Sequence, residues 1–142
     1  MRHLLLAALT LLAACRSDFG EVKPEKATIT ELVFKHSGTI AGIDHILTLS
    51  DEQQIFKSRQ CERAIDFDDW RKILDSFDYQ AFEALPARPD NECCDQSIYV
   101  ITLRTAQREY RYELSTFTAT NVVRPFIDSL SRRTWNEALQ CK

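Results

Sequence analysis

Two stretches near the start of the folded region carry strand patterning. Thr28-Ile-Thr-Glu-Leu-Val-Phe-Lys35 is rich in β-branched and aromatic residues with partial alternation, and Asp44-His-Ile-Leu-Thr-Leu-Ser50 follows the same rule. Between them lies His36-Ser-Gly-Thr-Ile-Ala-Gly-Ile43, which holds two of the chain's three glycines. That spacing predicts turns or a close backbone approach. Ile40 and Ile43 are apolar residues in a segment where an exposed turn favours polar ones. They either fold back over the sheet or are presented to a partner. Asp51-Glu-Gln-Gln reads as a polar turn, and Ile55-Phe-Lys-Ser58 begins a third strand that fades toward Cys61. Later, Ile98–Leu103 and Glu109–Leu114 read as a hairpin, although neither Gly nor Asn marks its turn. In its second strand Tyr110, Tyr112 and Leu114 share one face, and Glu109, Arg111 and Glu113 share the other.

The periodicity switches to the helical one in two places. From Asp66, with Asp69 in the first turn, the apolar positions Phe67, Trp70, Ile73, Leu74 and Phe77 form a stripe. Tyr79–Leu85 adds a short helical turn that ends at Pro86 and Pro89. A last helix runs from about Val122 to Leu139, capped by Thr120 or Asn121, with Pro125 in its first turn. Its inward stripe is Val123, Phe126, Ile127 and Leu130. The expected fold is α+β: an antiparallel sheet of about five strands in the order β-β-β-α-β-β-α, two helices packed on one face, and two disulfides. Residues 28–142 form a single domain.

The first residues follow neither period. Leu4–Ala14 is apolar except for Thr10, after Arg2 as the only charge. Such a run is far short of the roughly 20 residues that span a bilayer, and it matches a secretory signal. Leu12-Ala-Ala-Cys15 resembles a bacterial lipobox, in which the Cys thiolate accepts a diacylglyceryl group and the signal is cut before it. Residues 1–14 are thus the expected signal peptide. Residues 15–27 are the acylated Cys15 and a polar tether, anchored as only multiple acyl chains anchor stably. Arg16 stands after that Cys; by resemblance to enterobacterial lipoproteins, a residue other than Asp there implies the outer membrane rather than the inner, on the periplasmic face.

Four cysteines follow Cys15: Cys61, Cys93, Cys94 and Cys141. An even number in an exported domain reads as two disulfides. Because a vicinal bond strains the backbone, Cys93 and Cys94 are expected to split, one bonding Cys61 and the other Cys141. Cleavage removes Arg2 alone among charged residues, leaving 17 Lys/Arg against 21 Asp/Glu and a net charge of −4. With no basic cluster, nucleic-acid binding is not expected.

Catalytic chemistry is not expected either. His36 and His45 flank the glycine segment without a third ligand at suitable spacing, and read as partly exposed strand-end residues. There is no Ser-centred elbow and no phosphate-cradling glycine loop. Asp66, Asp68 and Asp69 are accounted for by helix capping. No cofactor, no metal and no enzymatic activity is expected.

The order of motifs resembles that of the emfourin-like proteins, small bacterial domains whose namesake inhibits a thermolysin-like metalloprotease. The residues that carry the resemblance are Ser37-Gly-Thr-Ile-Ala-Gly-Ile43 between two strands, Phe82-Glu-Ala-Leu-Pro86 after a helix, the Tyr99-Val-Ile-Thr-Leu and Tyr110-Arg-Tyr-Glu-Leu hairpin, and a last helix with an early Pro125. It covers roughly residues 28–133. Family members carry S-G-G-[aromatic]-A-G-I, where this chain has Thr39 for the second glycine and Ile40 for the aromatic residue. The chain also adds the lipobox and four cysteines. The resemblance implies a protein that binds, and by loop occlusion inhibits, a metalloprotease; with the lipobox it would do so as a lipid-anchored envelope protein. His36, Ser37, Gly38, Thr39, Ile40, Ala41, Gly42 and Ile43 are the candidate partner-binding residues. The competing expectation is a structural or assembly lipoprotein that docks onto an envelope complex without a protease partner.

Overall fold

A computed structural model describes residues 23, 25–38, 42–85, 96–116 and 118–141. Cys15 and the signal, Thr39, Ile40, Ala41, Cys93 and Cys94 lie outside the described residues. Six antiparallel strands form one sheet: β1 (Ile29–Gly38), β2 (Ile43–Ser50), β3 (Gln54–Lys57), β4 (Glu62–Ala64), β5 (Ser97–Thr105) and β6 (Glu109–Ser115), in the spatial order β4-β3-β2-β1-β5-β6. Three α-helices accompany it: α1 (Trp70–Asp75), α2 (Tyr79–Glu83) and α3 (Arg124–Leu139).

The expected α+β class holds, with corrections to its detail. The sheet has six strands rather than five. The missed one is β4, whose Glu-Arg-Ala sequence shows no apolar alternation and which forms because the chain turns back at Ser58–Cys61, where Ser58 N donates to Cys61 O at 2.8 Å. Among the described residues the α-helices number three rather than two. The first starts at Trp70, not Asp66, since Phe67 to Trp70 is a turn, and Asp69 bonds Lys72 instead of capping the helix. Asp78 is the side-chain cap, for α2: its Oδ1 accepts from Gln80 N at 2.9 Å and Ala81 N at 3.1 Å. At α3, Val123 rather than Thr120 or Asn121 occupies the cap position, with Pro125 in the first turn.

One disulfide is seen, Cys61–Cys141, with Cα atoms 5.8 Å apart. This overturns the expected split pairing for those two cysteines. The strain argument considered only the vicinal pair. The fold decides otherwise, because β4 begins just after Cys61 at the point where α3 ends.

Sheet register sets the rows that face the helices. Phe56, Leu47, Phe34, Ile101 and Tyr112 form one row across five strands, and Leu49, Leu32, Leu103 and Tyr110 form the next. Thr30 is an extra residue in β1 relative to β5. This bulge resets the alternation, so that Ile29 and Leu32, three apart, both face the core. Against these rows pack Trp70, Ile73 and Leu74 of α1, Phe77, Phe82 of α2, and Phe126, Ile127 and Leu130 of α3. Full burial of each such side chain contributes about 1.5–3 kcal/mol. Phe77 stacks on Phe82 at 4.4 Å and meets Phe126 at 5.1 Å, joining the three helices. Arg71 ties α1 to the sheet: its Nε donates to Asp51 Oδ1 and its Nη1 to Ile29 O, each at 3.1 Å. The β5–β6 turn manages without Gly or Asn because the Thr105 hydroxyl accepts from Gln107 N at 3.2 Å and Arg108 N at 3.1 Å.

Candidate functional site

The candidate residues gather at one end of the sheet, where β1 hands over to β2. His36, Ser37 and Gly38 are the last residues of β1 and Ile43 is the first of β2, so the connection is shorter than the sequence suggested. Of the two glycines, only Gly42 is held to its residue type by backbone conformation. Its φ is +61°, whereas a Cβ on Gly38 meets only ordinary contacts. Gly42→Ala is accordingly expected to cost about 1 kcal/mol, read as a lowered denaturant midpoint with unchanged m-value. A substitution without effect would show that the turn relaxes freely.

The histidines also need correction. They are not partly exposed: His36 is 3% and His45 8% accessible. Each occupies an inward position of its strand, and the register sets them directly opposite one another. Their ring centroids lie 6.2 Å apart with the planes at 88°. Tyr99, the partner of His36 in β5, tilts against it at 4.8 Å, and Phe56 meets His45 at 5.5 Å. Trp135 of α3 covers both, at 5.3 Å from His45 and 6.5 Å from His36. Both ring nitrogens of His36 and Nδ1 of His45 are buried without a hydrogen-bond partner. Burial, and secondarily the neighbouring His45, holds the His36 pKa down at about 4. Burial also lowers that of His45, against a smaller opposing pull from Asp44. Both rings are therefore neutral at pH 7. Among the described residues no group of three or more His, Cys, Asp or Glu is placed to hold a metal ion.

Beyond the histidines the surface becomes apolar. Trp135 is 44% and Leu139 61% accessible, one turn apart on α3. With Ala138, Gly42, Ile43, Asp44, His45 and the β3–β4 turn at Ser58–Gln60 they line a hollow of about 250 Å³. A second hollow, of about 370 Å³, lies around the open-face residues Lys35, Ser37 and Ile98. Asp44 and Arg59 border both, with 3.8 Å between carboxylate and guanidinium. Ile43, Gly42 and Ser37 thus belong to this end of the molecule, whereas the His36 ring is withheld from its surface. The sequence reading missed Trp135 and Leu139, which fall outside the inward stripe of α3.

The end of α3 that carries them is firmly held. The Cys61–Cys141 bond closes it covalently. Glu137, 2% accessible, receives Arg63 Nη2 of β4 at 2.8 Å on one oxygen and lies 3.0 Å from Arg133 Nε on the other. Arg133 also donates to Asp66 O at 2.6 Å and lies 4.7 Å over the ring of Phe67. Comparison with protein-family models, curated proteins and solved structures finds no match for this chain.

Proposed function

We propose that the chain is a lipid-anchored binding protein of the bacterial cell envelope. It is held through acylated Cys15 on the periplasmic face of the outer membrane, and engages a protein partner with the end of the sheet at Ser37, Gly42, Ile43, Trp135 and Leu139. The observation that carries this reading is the exposed Trp135–Leu139 pair beside the β1–β2 connection. Tryptophan is the side chain most enriched at the energetic centres of protein interfaces. Here it sits on a helix end immobilised by a disulfide and a buried ion cluster, so little ordering remains to be lost on binding. A disulfide in the fold is consistent with an exported protein. Nothing in this arrangement supplies a nucleophile with its base, and the proposed role is non-enzymatic. The partner class is a thermolysin-like metalloprotease, blocked when the β1–β2 connection and the adjoining α3 end fill its cleft.

The test is titration of a thermolysin-like protease with the purified protein, reading hydrolysis of a peptide substrate. Inhibition is expected, weakened about tenfold or more by Trp135→Ala and by Leu139→Ala. A protease whose rate does not change at micromolar protein removes the inhibitor reading in favour of a docking lipoprotein. Cys15→Ser is expected to move the protein from the membrane to the soluble fraction. An unchanged distribution removes the anchor.

A further inference from the structure

We infer that His36 and His45 form an acid-operated latch under the C-terminal half of α3: protonation of the pair loosens the Trp135 side chain from the sheet. The geometry carries the argument. Two imidazoles face each other across β1 and β2, both more than nine-tenths buried, with three ring nitrogens lacking any partner. Neutral rings tolerate such a site as aromatic packing, but an imidazolium does not, because it needs water or a counter-charge for both N–H groups. Two imidazoliums about 6 Å apart also repel each other.

Among the described residues, none offers an inward counter-charge. β1 presents Phe34 beside His36, with Lys35 on the opposite face, and β5 presents Tyr99. β3 presents Phe56, and α3 presents Trp135. Asp44 precedes His45 in β2, but its carboxylate is shared with Lys35 and Arg59, each at 3.8 Å. Glu137 of α3 is taken by Arg63 and Arg133. The hollow bounded by His45, Trp135, Ala138 and Leu139 opens to solvent beside the rings, so solvation of the charged rings comes by swinging the Trp135 side chain off them. The disulfide and the Glu137 cluster keep that displacement local.

The direction with pH follows from linkage. The folded pKa of His36, about 4, lies below the ordinary 6.5, so the open form binds protons first. The closed form is fully favoured above 6.5 and loses ground as pH falls toward 4. For His36 alone the open population rises about 30-fold at pH 5 and approaches a limit of roughly 300-fold well below pH 4. Because the latch lies beneath the face assigned to the partner, binding there becomes acid-releasable; only this last step rests on the proposed function.

The test needs no partner. In the full chain with Trp70→Phe, Trp135 is the sole indole. Its emission is expected to shift red and its acrylamide quenching to rise reversibly between pH 6.5 and 4. Adding His36→Phe and His45→Phe is expected to abolish the change. Since Trp70 is itself buried, imidazole NMR of the unsubstituted chain gives a second readout, assigned by single replacement among His3, His36 and His45. Both buried rings are expected to titrate below 6.5, with His36 near 4. Titration of both at or above 6.5, or a Trp135 transition that persists in the Phe variant, overturns the latch. Loss of protease inhibition with the latch intact would instead fault the assigned partner.

Discussion

Replacing both Cys61 and Cys141 by Ala is expected to destabilise the protein by about 4–5 kcal/mol. The bond joins residues 80 apart in sequence. In the chain-entropy model, opening a loop of that length returns about that much free energy to the unfolded ensemble. The measurement is urea unfolding of the oxidised protein against the double variant. A loss below about 1 kcal/mol would mean that the unfolded chain is already compact around this pair. The same variant is expected to raise the exposure of Trp135, because the disulfide closes the end of the helix that presents it.

A second large effect is expected from orphaning Glu137. Arg63→Met with Arg133→Met leaves a carboxylate that is 3% accessible in its side chain without either guanidinium. Removing the partners of a buried charge costs about 3–5 kcal/mol. Adding Glu137→Leu to that double variant is expected to recover most of the loss. The recovery separates the stranded charge from the lost Arg133–Phe67 packing. If the triple variant is no more stable than the double, the ion cluster is dispensable and packing alone holds α3. The disulfide and the cluster grip the same helix end, so their effects are expected to fall short of additive when combined.

Much of the sheet is legible in the alternation. β2, β5 and β6 fall where the pattern puts them, and Tyr110, Tyr112 and Leu114 share a face as read. The histidines were legible by the same rule. His36 stands two residues after Phe34 and His45 two before Leu47, both inward positions, yet as strand-end residues they read as partly exposed. β4 was not legible, because three residues of Glu-Arg-Ala carry no period and pair only once β3 exists as a template. The cysteine partners were not legible because pairing depends on the start of β4 meeting the end of α3 in space. Glu137 looks like any solvated helix charge until Arg63, from a distant strand, is brought against it. Trp135 and Leu139 looked like ordinary residues off the inward stripe. Their significance comes from the strand ends that α3 happens to reach.

The strand order also dictates a sequence of events in folding. The four strands β4-β3-β2-β1 neighbour each other in both space and chain, so they form by short-range hairpin closure. β1 must then find β5, for example Phe34 against Ile101, across the whole intervening helical stretch. That long-range closure is entropically costly before any packing rewards it, and it is expected to set the folding rate. Until it happens, one edge of β1 stands open beside an uncovered apolar row. The interval between meander and completed sheet is therefore when this chain is most exposed to aggregation.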